Sequence, residues 1–210
     1  MRYRDRLDAA EQLADALRHY QGLSPLILAI PRGALPIGRV LADRLGGDLD
    51  VVLVHKLGAP DNPEYALGAV DEWGRTWIPE HTLPSWKAHL AAETQRQLAM
   101  LRQRRRAYSA ERPPLPVAGR IAIVVDDGLA TGATMVSALE AVRQQGPSRL
   151  VCAVPVGSAE AVELARAHAD EVVCLRVPPD FYAVGVHYQH FDQVEDDEAI
   201  RLLRAPAASA

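Results

Sequence analysis

The feature that most constrains the fold of this chain is an alternation of short apolar runs with segments of helical periodicity. The run SPLILAI at 24–30 is followed by the helical pattern GALPIGRVLADRLG at 33–46 and by a second apolar run, LDVVLVH, at 49–55. Runs this short and this uniformly apolar are typical of parallel strands, which are covered on both faces. The segment therefore predicts a β-α-β unit.

The same alternation returns in the second half of the chain. In addition to a first helix at 4–20, the pattern predicts strands at 121–125, 150–155 and 171–177 and helices at 133–145 and 158–169. The sequence thus predicts an α/β fold with an open, mainly parallel sheet of about five strands flanked by helices. Ligands of such sheets bind at the carboxyl ends of the strands.

Two segments interrupt or follow this pattern. Residues 57–117, called the insertion below, predict a loop through KLGAPDNPEYALGAV, a hairpin at 67–78 that turns near 71–74, and a long helix at 83–108. Residues 178–195, called the hood, lack clean periodicity and predict a loop-like cap. We interpret residues 1–210 as one domain that carries the insertion and the hood.

Composition excludes several classes of protein. Of the 210 residues, 49% are hydrophobic and 24% are charged, which is typical of globular proteins. No apolar run approaches the roughly 20 residues that cross a bilayer, so we expect a cytoplasmic protein without a membrane partner. The net charge of −4 argues against nucleic acid as a partner. The basic segment RQRRR at 102–106 predicts a solvated helix face, with an anion or nucleic-acid contact as the alternative.

The predicted strands end in turns with unusual chemistry: PRGA (31–34) after the first, HKLG after the second and DDGLATGAT after the third. Because the carboxyl ends of parallel strands meet at one edge, we expect these turns to face one crevice. In the third turn, small residues allow close approach to a ligand and lead into a helix N-terminus, which favours an anion. This predicted phosphate loop consists of Gly128, Leu129, Ala130, Thr131, Gly132, Ala133 and Thr134.

Two adjacent carboxylates, Asp126 and Asp127, directly precede the phosphate loop. Adjacent carboxylates repel each other and would also repel a phosphate placed beside them. They suit vicinal hydroxyl groups or a magnesium ion instead. The implied ligand carries a phosphate at one end and a diol at the other, as ribose 5-phosphate does.

The order of apolar run, Asp-Asp, small-residue loop and Thr-Gly-Ala-Thr resembles the phosphoribosyl pyrophosphate (PRPP) fingerprint of the type I phosphoribosyltransferases. The resemblance extends from about Pro25 to Val177, and the whole chain is similar to a group of bacterial members whose acceptor is unassigned. It implies that Asp126 and Asp127 hold the ribose 2- and 3-hydroxyls and Mg²⁺, directly or through water. It also implies that the phosphate loop binds the 5-phosphate.

PRGA is similar to the diphosphate loop of that family, which often contains a non-proline cis peptide bond. The resemblance implies that Arg32, Gly33 and Lys56 bind the diphosphate and that Lys56 joins the two aspartates in catalysis. The expected reaction is displacement of diphosphate from PRPP by an acceptor nitrogen, as in nucleotide salvage. Family lids often contain a lysine or arginine, whereas GAPDNPEYALG at 58–68 has neither.

The acceptor is expected to enter through the hood, where Asp180, Phe181 and Tyr182 are candidate contacts and a purine base is one candidate acceptor. Family resemblance and the apolar stripe of the long helix predict a homodimer. An alternative function is a PRPP-sensing or nucleotide-sensing module without turnover. A phosphatase with Asp126 as nucleophile is disfavoured, because the spaced Asp-x-Asp and the further lysine and acid motifs of such enzymes are missing.

Overall fold

The structure is a computed structural model that describes residues 2–60, 62–78, 83–109 and 113–205, without the side chains of 62–66 and 109. Its helices and strands, in chain order, are α1 (Arg6–Ala16), β1 (Leu26–Ala29), α2 (Leu35–Leu45), β2 (Asp48–Val51), β3 (Val54–Ala59), β4 (Asn62–Asp71), β5 (Thr76–Trp77), α3 (Lys87–Ser109), β6 (Ile121–Val125), α4 (Ala133–Arg143), β7 (Arg149–Val156), α5 (Ala159–Arg166), β8 (Glu171–Arg176) and α6 (Asp196–Arg204). Short 3-10 turns lie at Arg18–Tyr20, Pro84–Trp86 and Val184–His187.

Within the described part of the chain, five parallel strands form the main sheet in the order β2-β1-β6-β7-β8. Alternate residues of each strand enter two separate cores. Ile27 and Ile123 pack with α1 and α2 on one face, whereas Leu28 and Val124 pack with α4 and α5 on the other. The predicted α/β class and the parallel sheet of five strands are therefore confirmed.

The strand order creates a switch point between β1 and β6. From β1 the chain crosses to β2 on one side, and β6 returns on the other side of β1. Ala29 of β1 pairs with Val125 of β6, so both strands end at the same level. The PRGA loop and the Asp126–Asp127 pair therefore leave the sheet side by side, at the position where open α/β sheets bind their ligands.

The prediction of one strand at 49–55 is wrong. β2 ends at Val51, and β3 begins at Val54 in a second, antiparallel sheet of order β3-β4-β5. The loop predicted for KLGAPDNPEYALGAV is wrong as well, because this segment forms most of β3 and β4. Its glycines and prolines indicated a loop, but an antiparallel pair tolerates them at irregular positions, and the register shifts on both sides of Gly58.

Other predictions for the insertion are confirmed. The hairpin between β4 and β5 turns where expected, with the Gly74 N–H bonded to the Asp71 carbonyl. The long helix is α3. Its apolar residues Leu90, Leu98, Leu101 and Tyr108 are buried within the chain, so this stripe does not support a homodimer.

α6 was not predicted from the sequence; it begins at Asp196, directly after the hood. Its first turn carries Asp196, Asp197 and Glu198 and its last turn carries Arg201 and Arg204, a charge order that favours a helix. None of the described helices combines the length and the apolar character that crossing a membrane requires.

A buried ion network attaches α3 to the edge of the main sheet. The Arg105 guanidinium donates to Glu72, to Asp50 (2.7 Å) and to the Val51 carbonyl (2.8 Å). The second Asp50 oxygen accepts the Leu115 N–H at 2.8 Å. Asp50, Glu72 and Arg105 are 2%, 6% and 9% exposed. The basic segment 102–106 is therefore a solvated face only in part, because Arg105 is buried.

Candidate active site

The PRGA loop and the acid pair, Asp126 and Asp127, pack directly against each other. Gly33 lies so close to the Asp127 carboxylate that a Cβ atom at this position would overlap it. Only glycine leaves room for this approach. The peptide bond between Pro31 and Arg32 is cis, as the family resemblance implies. The two loops that the sequence predicted to meet are therefore in contact.

Asp127 forms an ion pair with Arg6 at the start of α1. Its Oδ2 atom accepts hydrogen bonds from Arg6 Nε (3.0 Å) and Nη2 (2.9 Å). Arg6 in turn donates to the Asp192 carbonyl (2.7 Å), and its guanidinium lies 3.9 Å from the centre of the Phe191 ring. The site thus contains a fixed cation that sequence reasoning missed, because no local spacing connects Arg6 to the acids.

The two acids have different surroundings. Burial, and then the charge of Asp127, raise the pKa of Asp126 well above its ordinary value. Burial also raises the pKa of Asp127, but the Arg6 guanidinium opposes this shift. The Asp126 carboxylate accepts the Asp127 N–H at 2.8 Å. Asp127 is therefore held beside a cation, whereas Asp126 faces its like-charged neighbour.

The phosphate loop ends at the N-terminus of α4. Gly132 is the N-cap residue and adopts a left-handed conformation, with φ of 78°. The Val136 N–H is bonded to the Gly132 carbonyl, whereas the N–H groups before it have no partner within the helix. Among the described side chains, Thr131 approaches them most directly, with Oγ1 at 3.5 Å from the Ala133 nitrogen. This end of the helix can bind an anion.

Leu129 anchors the phosphate loop to the end of β7. Its N–H donates to the Val156 carbonyl and its carbonyl accepts the Ser158 N–H, both at 2.9 Å. The Ser158 hydroxyl also donates to the Ala130 carbonyl at 2.9 Å. The Leu129 side chain is buried, so this residue holds the loop in place and has no N–H left for a phosphate.

The hood reaches the acid pair through Val184 and Tyr188. The Tyr188 hydroxyl donates to the main-chain carbonyl of Asp127 at 2.7 Å. Val184 packs on Gly128, where an added Cβ would lie 2.6 Å from a Val184 methyl group. The Val184 side chain of the hood thus fills the space that a side chain at position 128 would occupy.

The predicted acceptor residues follow β8. Phe181 stacks on His187 with ring centres 5.4 Å apart, so it contributes to the packing of the hood. Asp180 is exposed, and Tyr182 has 89% of its surface in solvent. The structure thus gives Phe181 a packing role and leaves the other two side chains open to a ligand.

Two cavities flank the PRGA loop. One has a volume of about 240 Å³ and is bordered by Pro31, Lys56, Arg104 and Thr134, among others. The other measures about 530 Å³ and includes Pro31, Arg32 and Arg104. Lys56, which was predicted at the end of a parallel strand, lies instead in β3 of the second sheet. It nevertheless borders the same cavity as Thr134.

The described residues contain no cluster of three or more histidine, cysteine or acidic side chains able to hold a metal ion. The acid pair alone offers two carboxylates. This donor set fits Mg²⁺, which is often bound by one or two carboxylates together with water and substrate phosphates. Asp127 Oδ2 is already bonded to Arg6 and Asp126 Oδ1 accepts the Asp127 N–H, so Asp127 Oδ1 and Asp126 Oδ2 are the oxygens that would hold the ion.

Comparison with known proteins identifies the family. Residues 4–190 match the family model described as "Phosphoribosyl transferase domain". TT1426 from Thermus thermophilus, a crystal structure, shares 48% identity and a TM-score of 0.89 over 97% of this chain and 98% of that one.

Provisionally named phosphoribosyl transferases from two strains of Mycobacterium tuberculosis are 40% identical over 202 residues, which are 95% of this chain and 46% of each relative. The chain therefore spans about half the length of these curated relatives. A protein from Neisseria gonorrhoeae with bound ppGpp shares the fold, at a TM-score of 0.50 and 15% identity over 97% of each chain. By its sequence and its fold, this chain belongs to the phosphoribosyl transferase domain family.

Proposed function

We propose that this chain is a PRPP-dependent pentosyltransferase that transfers the 5-phosphoribosyl group to a nitrogenous acceptor and releases diphosphate. The observation that carries the proposal is the contact between Gly33 and Asp127 at the switch point. It brings the PRGA loop against the acid pair, which leads along the chain into the phosphate loop and α4, and this arrangement supports one shared crevice. Such a crevice offers acceptors for a ribose diol and donors for its phosphates.

Each end of PRPP has candidate partners. Asp126 and Asp127 accept hydrogen bonds from the 2- and 3-hydroxyls, since carboxylates are acceptors. The first N–H groups of α4 and the hydroxyls of Thr131 and Thr134 bind the 5-phosphate. The diphosphate lies against the PRGA loop, within reach of Arg32 and Lys56. Asp180 and Tyr182 remain the candidate acceptor contacts, with a purine base as one candidate.

In the proposed reaction, a bond forms between the acceptor nitrogen and the anomeric carbon while the bond from this carbon to the diphosphate breaks. Positive charge develops on the ribose ring, and the acid pair stabilises it electrostatically. Bound Mg²⁺ would supply charge neutralisation on the leaving diphosphate. Burial of the acid pair strengthens its interaction with the ring, because the local dielectric is low.

The test is diphosphate release from PRPP and Mg²⁺ in the presence of a panel of nucleobases and amines. Replacing both acids, Asp126→Asn with Asp127→Asn, should lower kcat/KM on the order of a hundredfold or more, the range seen when preorganised electrostatic groups are removed. Asp170→Asn is the matched control, because Asp170 is paired with Arg143 on the surface. Release that does not respond to the double substitution would reject the proposal.

A second candidate function is a PRPP-sensing or nucleotide-sensing module without turnover. The Arg6–Asp127 ion pair favours it, because a cation beside Asp127 reduces the negative charge that the acid pair can offer to the ribose ring. Tight PRPP binding without diphosphate release across the whole acceptor panel would support this function over the enzyme.

Assembly, domain organisation and location also belong to this proposal. We expect a homodimer from the family resemblance, a single domain over 1–210 and a cytoplasmic protein. Light scattering after gel filtration measures the oligomeric state, and a monomeric mass at micromolar concentration would contradict the first expectation.

A further inference from the structure

Arg104 lies at the junction of the two cavities beside the PRGA loop. It borders the cavity of about 240 Å³ together with Lys56 and Thr134. It also borders the cavity of about 530 Å³ together with Arg32. Pro31, the first residue of the PRGA loop, is likewise common to both cavities. Arg104 on α3 therefore borders the same two cavities as the predicted diphosphate loop, although it is distant from that loop in sequence.

The orientation of α3 is fixed by its buried residues. Leu101 and Tyr108 lie three residues before and four residues after Arg104, so the three side chains share one face of the helix. Both neighbours are buried, at 1% and 5% exposure. Arg105 is held by Asp50 and Glu72. These contacts prevent rotation of the helix, and the exposed Arg104 is therefore aimed at the cavities.

The two arginines at this junction differ in their partners. Arg104 makes no hydrogen bond or ion pair with any residue that the structure describes. Arg32 lies 3.4 Å from Asp196, a carboxylate that is itself 68% exposed. Burial, and then the Asp196 carboxylate, raise the pKa of Tyr108, whereas Arg104 and Arg32 oppose this rise, in agreement with the position of all three charges near its hydroxyl. Of the two arginines, Arg32 therefore has an ion-pair partner, whereas Arg104 has none among the described residues.

We propose that Arg104 is a further diphosphate-binding residue, which contacts the leaving diphosphate of PRPP from α3. This inference rests on the proposed function. Segment 58–68 contains no lysine or arginine, so α3 supplies the cation that this segment lacks. A guanidinium suits the task, because its planar fork donates two parallel hydrogen bonds to phosphate oxygens.

The test compares three ligands by titration calorimetry in Mg²⁺: PRPP, inorganic diphosphate and ribose 5-phosphate. Arg104→Ala should weaken the binding of PRPP and of inorganic diphosphate about tenfold or more, which corresponds to the loss of one hydrogen bond to a charged group. It should leave ribose 5-phosphate unchanged, because that ligand lacks the diphosphate. Arg104→Lys should give an intermediate loss, since it keeps the charge but not the fork.

Arg102→Ala is the matched control. Arg102 is exposed on the same helix and borders neither cavity, so its removal changes the net charge equally without touching the site. Equal affinities of wild type and Arg104→Ala for PRPP would overturn the role of Arg104 but not the proposed function. The same holds if Arg102→Ala weakens PRPP binding as much as Arg104→Ala does, or if Arg104→Ala weakens the binding of ribose 5-phosphate as much as that of PRPP. Absence of PRPP binding by the wild type would overturn the proposed function and this inference with it.

Discussion

The two ends of the candidate site are built differently. At the proposed ribose end, Asp127 is bonded to Arg6 and Tyr188, and Gly128 is packed against Val184. At the proposed diphosphate end, cavities of about 240 and 530 Å³ flank the PRGA loop. Arg104 is exposed there and has no partner among the described residues.

This difference indicates how the two ends would recognise a ligand. The ribose end is already held in place by contacts within the chain, so a sugar bound there costs little ordering of side chains. At the proposed diphosphate end the Arg104 side chain is exposed, and ordering it on binding has an entropic cost. The position of α3 is fixed by its buried residues, whereas the Arg104 side chain that it carries is not held by any described partner.

The largest effect is expected from Arg105→Ala. The substitution leaves Asp50 and Glu72 buried without their cation and should lower the free energy of unfolding by about 3–5 kcal/mol. Urea denaturation measures this change. Arg106→Ala removes the same charge from an exposed neighbour and should cost less than 1 kcal/mol, or about the value of a surface charge. Equal losses for both variants would show that the buried network does not hold α3.

Arg6→Ala tests the ribose end and should have the next largest effect. It removes two charge-assisted hydrogen bonds from a largely buried carboxylate, which should cost about 1.5–3 kcal/mol in urea denaturation. Arg6→Lys retains the charge without the fork and should recover part of the loss. If Arg6→Ala is as stable as the wild type, the ribose end is not held by this ion pair.

Gly128→Ala tests the packing of the hood on the phosphate loop. The added methyl group meets Val184, and overpacking of this kind typically costs about 1–3 kcal/mol. Combining it with Val184→Ala should recover most of the loss, because the second change removes the clashing methyl groups. The interaction energy from the double-mutant cycle is the measurement, and additive losses would contradict the contact.

Asp126→Asn should stabilise the protein in the absence of Mg²⁺, and by an amount that depends on pH. The pKa of Asp126 is raised by burial and by Asp127, so the folded state holds a proton that the unfolded state releases above its ordinary pKa of 3.8. Wild-type stability therefore falls as pH rises through this window, by at most about 1.4 kcal/mol per pH unit. Asparagine does not titrate, so the stability gained by Asp126→Asn over the wild type should grow from about pH 4 upwards.

Asp170→Asn is the control of opposite sign. Its hydrogen bonds with Arg143 lower the pKa of Asp170, so this carboxylate stabilises the fold above its unfolded pKa and the contribution is lost as pH falls. Removing the charge should thus destabilise the protein slightly at neutral pH, since the pair is exposed. A gain for Asp170→Asn, or a pH-independent difference for Asp126→Asn, would contradict these assignments.

The apolar runs predicted all the strands of the parallel sheet, although β2 was extended too far. The spacing of Asp126, Asp127 and the phosphate loop predicts a site at the end of β6, and the roles of these residues stay a prediction. The β3-β4 hairpin was missed because its strand pairing comes from a partner segment and not from local periodicity. α6 was missed although its terminal charges were a usable signal.

The sequence by itself determined the sheet, the acid pair and the loop that follows it, because strand burial and a strand-to-helix turn are written in neighbouring residues. Only the tertiary structure decided which cation faces that pair and which cation holds α3 to the edge of the sheet. Arg6 meets Asp127 across 121 positions of the chain, and Arg105 meets Asp50 across 55. Pairings over such distances depend on how helices pack on the sheet, and no local spacing encodes them.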